Sequence, residues 1–97
     1  EIPKFPAVER DIAVIVDEQI EVGQIEKIIT KKAKKLLESM NLFDIYRDEK
    51  IGHNKKSVAY ALRFRDKNKT LQDEEINQVM ENIIAELEKQ LGAELRK

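Results

Sequence analysis

The sequence has 97 residues, 41% of them apolar, and a net charge of −1, which predicts one domain around one core. It has no cysteine, which excludes a disulfide framework and a thiolate metal site. No apolar run nears the roughly 18 residues of a membrane span, no signal-peptide pattern opens the chain, and the start at Glu1 rather than Met reads as a fragment or a processed piece.

The near-neutral total hides segregated charge. Residues 1–23 carry 2 basic and 6 acidic side chains, residues 24–69 carry 13 and 6, and residues 70–97 carry 3 and 7. A basic middle therefore lies between acidic flanks, and such local patches, not the overall pI, decide contact with nucleic acid. The bland reading of the same lysines is a solvated surface.

Pro3 and Pro6 predict an extended lead-in. Residues 10–17 read as a strand, with Ile12, Val14 and Val16 on one face and Asp11, Ala13 and Ile15 on the other. Residues 22–40 read as a helix, because Val22, Ile25, Ile28, Ile29, Ala33, Leu36, Leu37 and Met40 recur at three and four. Residues 42–48 read as a second strand, with Phe43 and Ile45 facing one way and Asp44 and Tyr46 the other. The loop 49–56 is too long for a two-residue hairpin turn.

The third strand, 57–66, is the most telling segment. Its even positions Val58, Tyr60, Leu62 and Phe64 are bulky and apolar; its odd positions Ser57, Ala59, Ala61, Arg63 and Arg65 are small, then basic. The first set belongs in a core. The second suits close approach by something flat and anionic. Residues 72–91 form a second helix striped with Ile76, Val79, Met80, Ile83, Ile84, Leu87 and Leu91. Thr70 and Asp73 suggest a capping-box start, Gly92 a C′ stop, and residues 93–96 a short last strand.

The order strand, helix, strand, strand, helix, strand is the split βαβ pattern of an α+β, ferredoxin-like βαββαβ fold: a four-stranded antiparallel sheet with two helices on one face. The other face would then carry Asp11, Ala13, Ile15, Asp44, Tyr46, Ser57, Ala59, Ala61, Arg63 and Arg96.

Catalytic constellations are missing. His53 is the lone histidine and reads as a solvated loop residue; no second imidazole completes a common zinc site. Ser57 has no neighbouring base to make it a nucleophile, and no glycine-rich phosphate loop is present. An acylphosphatase-like hydrolase of similar fold would need a phosphate cradle after the first strand, where residues 17–24 are acidic instead. An RNA-recognition motif stacks bases on aromatics of its central strands, but Tyr60 and Phe64 have core parity and only Tyr46 has outer-face parity.

Five spacings in order carry a resemblance: Phe5-Pro6-x3-Arg10-Asp11, Phe43-Asp44-x-Tyr46, Lys56-Ser57-x-Ala59-Tyr60, Thr70-Leu71-x-Asp73-Glu74-Glu75 and the closing Leu95-Arg96. Together they resemble the ferredoxin-fold anticodon-binding domain at the C-terminal end of the bacterial phenylalanyl-tRNA synthetase beta chain, over residues 3–97. Gln72 departs from the Ser or Thr common there.

The resemblance implies a non-catalytic RNA-binding domain spanning residues 1–97 of a cytoplasmic ligase. The parent uses ATP and magnesium, and its catalytic centre lies on an alpha subunit reached through the rest of the beta chain. The partner implied is the anticodon stem-loop of phenylalanine tRNA, with no membrane and no cofactor in this fragment. Carried over, Asp44 and Ser57 would hydrogen-bond an anticodon base, Tyr46 and Ala59 would offer stacking and close approach, and Arg10, Arg63 and Arg96 would meet backbone or base. The bland readings are an Asp44 ion pair with Arg63 or Arg96, a sheet-edge Tyr46, a strand-opening Ser57 and an Arg10 that pairs a carboxylate. The competing function is a subunit-docking or small-ligand regulatory domain, for which Ala13, Ile15, Ala59 and Ala61 would supply an apolar face.

Overall fold

The computed structural model describes residues 5–96; Pro3 lies outside them, and residues 5–7, with Pro6, lead into the first strand without forming a helix. The elements are β1 (Val8–Asp17), α1 (Val22–Ala33), β2 (Leu37–Tyr46), β3 (Lys55–Phe64), α2 (Asp73–Leu91) and β4 (Glu94–Leu95). Short 3-10 turns at Lys34–Leu36 and Glu49–Ile51 flank β2. The strands form one antiparallel sheet in the order β2-β3-β1-β4, the ferredoxin-like arrangement expected.

Alternation along β1 and β3 builds the core. Ile12 pairs with Tyr60 and Val14 with Val58, and directly opposed residues of an antiparallel pair share a face. These four, with Val16, Leu62 and Phe64, are at most 3% exposed and pack with Ile25, Ile28 and Ile29 of α1 and Ile76, Ile83 and Leu87 of α2. The Tyr60 hydroxyl avoids an orphaned buried donor by reaching Glu26 Oε2 at 3.0 Å. The helix side of β3 is thus the one that the sequence marked as core.

The first helix is shorter than its apolar spacing predicts. It stops at Ala33, and Lys34 takes φ 55°, ψ −132°, a conformation that ends the helix. Leu37 and Met40 belong to β2. They mimic helical spacing because a bulge at Glu38 lets residues three apart share one face: Leu37 stands opposite Phe64 and Met40 opposite Leu62. A second bulge, at Phe43, does the same for Leu42 and Ile45, which stand opposite Tyr60 and Val58. Phe43 is therefore not a core partner of Ile45; it is 57% exposed.

The second helix starts one residue later than expected and its cap differs. Gln72 is the N-cap, and its backbone N–H donates to Glu75 Oε1 at 3.1 Å, so the reciprocal pair is Gln72–Glu75 rather than Thr70–Asp73. Gly92 ends the helix at φ 63°, ψ 25°, its N–H donating to Glu88 O at 3.0 Å, the left-handed stop expected of it. Among the described residues, no helix is long and apolar enough to cross a membrane.

Candidate nucleic-acid interface

The sheet face away from the helices carries the expected residues in register. Across β1 and β3, Asp11 stands opposite Ala61, Ala13 opposite Ala59 and Ile15 opposite Ser57. Across β2 and β3, Asp44 stands opposite Ala59 and Tyr46 opposite Ser57. The second bulge ends before Asp44, so both polar residues of β2 return to the outer face.

One end of this face is a compact polar cluster. After β4 the backbone N–H of Arg96 donates to Ala13 O at 2.8 Å, which anchors Arg96 beside β1. Its side chain crosses β1 and donates from Nη1 to Ser57 Oγ at 3.2 Å. The guanidinium carbon lies 4.8 Å from the Tyr46 ring centroid, within cation–π range. The Tyr46 hydroxyl donates to Asp48 Oδ2 at 3.0 Å, a bond that raises the phenol pKa above its ordinary value, with burial adding to it and Arg96 opposing it. Ser57 and Ala59 are only 2% and 7% exposed. The small-residue surface is thus not bare: Arg96 lies against Ser57.

Asp44 is exposed, and among the described residues neither arginine of the bland reading pairs with it. Arg63, at the far end of β3, donates instead to Glu38 Oε1 at 2.9 Å and Glu9 Oε1 at 2.5 Å. Arg65 shares Glu38 and donates to Phe5 O at 2.5 Å. These guanidinium groups hold the Glu38 carboxyl below its ordinary range, Arg65 contributing most.

Arg10 is not brought to the cluster. It stands opposite Leu62, on the helix-side parity, and its Nη2 reaches Asp73 Oδ1 at 3.5 Å. His53 is an exposed loop residue.

Sequence reasoning missed three contributors. Glu9 was legible, since extending the first strand by two residues puts it opposite Arg63. Glu38 was concealed inside the overlong helix. The third is a knot at the sheet end, where Glu18 accepts from Arg47 and also pairs with Lys56 Nζ at 3.5 Å. Much of the basic middle of the chain is therefore folded against carboxylates. Among the described residues, Arg96 is an arginine with no carboxylate partner.

No described group of three or more His, Cys, Asp or Glu could hold a metal ion. The arrangement can do recognition chemistry: one ring, one carboxylate and one hydroxyl on β2 and β3, with one guanidinium reaching them across β1 from the end of β4.

A βαββαβ chain with a four-stranded antiparallel sheet and two helices is an α+β, ferredoxin-like module by its architecture. Comparison makes the class specific: the chain belongs to the ferredoxin-fold anticodon binding domain family, whose pattern it matches over residues 3–96. It is 50% identical over 95 residues to the phenylalanine–tRNA ligase beta subunits of Clostridium acetobutylicum and Clostridium tetani. It is 45% identical over 95 residues to that of Geobacillus kaustophilus. Each match covers 98% of this chain and 12% of the relative, so the chain spans about an eighth of the length of these proteins.

Proposed function

We propose that this chain is the anticodon-reading domain of a phenylalanine–tRNA ligase beta subunit and that its outer sheet face holds the anticodon stem-loop of phenylalanine tRNA. The observation that carries the reading is the Tyr46–Ser57–Arg96 cluster beside an exposed Asp44, in a chain that aligns along nearly all its length with such subunits.

Each group has a role that its chemistry fits. The Asp44 carboxylate accepts from a base edge that presents two N–H donors, as guanine N1–H and N2–H do. Ser57 donates or accepts, Tyr46 stacks a base, and Ala59 leaves room beside them. Arg96 meets a phosphate or a base. Because Arg96 lies against Ser57 in the free chain, a base reaches Ser57 only when that guanidinium moves aside. Arg63 and Arg10 enter as peripheral contacts, since carboxylates already engage them. The domain itself is not catalytic; ATP, magnesium and the alpha subunit belong to the cytoplasmic parent, in which residues 1–97 form one domain.

Titrating the stem-loop hairpin against the chain at two salt concentrations tests the reading. Binding should weaken with salt, by about 0.7–0.9 log units per tenfold salt for each phosphate neutralised. An affinity that ignores salt, or is equal for an unrelated hairpin, would overturn it. The second reading, subunit docking, draws on the exposed Leu42, Phe43 and Ile45 along edge strand β2, and predicts the salt-insensitive outcome.

A further inference from the structure

We infer that Asp48 is a positioning residue of the RNA site, holding the Tyr46 ring in its stacking orientation through the phenolic hydroxyl. The inference rests on the reading above, in which Tyr46 stacks a base, and adds a residue that reading does not use.

Asp48 follows β2 by two residues and is the N-cap of the 3-10 turn Glu49–Ile51. Its two carboxylate oxygens are divided between two tasks. Oδ1 accepts from Lys50 N–H at 2.9 Å and closes the turn; Oδ2 accepts from the Tyr46 hydroxyl at 3.0 Å. A tyrosine near the end of an edge strand has few neighbours to restrain its ring, and this one is 37% exposed. The hydroxyl bond ties the ring tip to a turn that the same carboxylate has closed, while Arg96 lies over the ring. The ring is thus held before any base arrives, which removes an ordering cost that binding would otherwise carry. The cost of immobilising one side chain corresponds to roughly 2- to 10-fold in affinity.

Asp48 would also repel a nearby phosphate. That effect has the opposite sign, so the two can be separated. Asp48→Ser keeps a side-chain acceptor for Lys50 N–H, as serine does at N-caps, but is too short to reach the phenol. Asp48→Asn retains both contacts, its amide oxygen capping the turn and its NH2 donating to the phenolic oxygen. Each change is made in the parent sequence and in Tyr46→Phe, which lacks the hydroxyl, and hairpin affinity is measured for all.

Asp48→Ser should weaken binding roughly 2- to 10-fold beside Tyr46 and have no further effect on Tyr46→Phe, the non-additivity of a shared contact. Asp48→Asn should stay within about twofold of the parent. Equal weakening by Asp48→Ser in both backgrounds, or tighter binding in both, would overturn the assignment. Phenol titration gives a readout independent of RNA. Tyr60 is pushed far up by burial and by Glu26, so the lower transition belongs to Tyr46, and it should fall toward the ordinary value in Asp48→Ser. If the chain fails to bind the hairpin, the function proposed above falls and the titration alone decides: a lowered transition supports the Asp48 link, and an unmoved one sinks it.

Discussion

Ser57 and Arg63 stand on the same face of the same strand, about 20 Å apart by strand rise, and their surroundings differ in kind. Around Arg63 the basic groups are matched by acids: Glu9 lies directly across β1, and Glu38 joins Arg63 to Arg65. Around Ser57 the guanidinium of Arg96 has a hydroxyl and a ring for company, and Asp44 on the neighbouring strand is exposed. Arginines of equal parity therefore serve different ends. Arg63 knits three strands together through two carboxylates, whereas Arg96 is held by one hydroxyl and one ring. Outer-face position alone does not make an interface; the partners already engaged decide whether a charge is available.

The largest effect expected lies under the Arg63 end. Phe64 is fully buried, and Phe64→Ala should cost about 3–5 kcal/mol of stability, read as a lower denaturant midpoint. A loss under about 1 kcal/mol would mean that this end is not anchored by the core as described.

At the opposite end, Asp44→Ala in the full-length parent should leave folding intact and impair discrimination at one anticodon position. Losing a good polar base contact costs about 1–3 kcal/mol, or roughly 5- to 150-fold. Equal losses for every anticodon variant would instead mark Asp44 as structural.

The comparison is sharpest in a pair of matched substitutions. Arg96→Gln should lower the salt dependence of RNA binding by about one phosphate contact, a slope change of about 0.7–0.9, with little change in thermal midpoint. Arg63→Gln should mainly lower the midpoint, because Glu9 and Glu38 lose their shared partner, with a smaller change in slope than Arg96→Gln gives. Identical behaviour of the two variants would erase the distinction between the ends.

The smallest effect is in the pH dependence of stability. Glu38 has its carboxyl depressed below the ordinary 4.5 by Arg65 and Arg63. A depressed folded-state pKa contributes stability that is present above the unfolded value and lost as pH falls through the folded one. Glu38→Gln should therefore flatten the acid limb below pH 4.5, measured as thermal midpoint against pH. An acid limb unchanged in slope would show that the exposed pairs at this end are screened to nothing.

Parity made most of this legible in advance. Strict alternation in β3 separated Tyr60 and Phe64 from Ser57 and Ala59, and the glycine at 92 marked the end of α2. The reading failed where the period changed. Two bulges in β2 put apolar residues three apart on one face, and spacing of three is also what a helix produces, so residues 34–40 read as helix. No glycine marks the stop at Ala33: Lys34 carries the positive φ there, a conformation that side chains disfavour and sequence patterns therefore do not announce. Glu38 was lost to the same error, and with it the partner that distinguishes Arg63 from Arg96.

The sequence by itself determined the order of elements and, in β1 and β3, which residues each face of the sheet displays, because period-two and period-3.6 patterns are local properties of the chain; in β2 the two bulges decided it. Only the tertiary structure decided which charges are already matched. Arg63 meets Glu9 and Glu38 from other strands, 54 and 25 residues away along the chain, and Arg96 reaches Ser57 across 39. Such meetings depend on strand order and register, which arise from the packing of the whole sheet against its helices. Hence the composition showed a basic centre, and the fold left Arg96 beside Tyr46 without a carboxylate among the described residues.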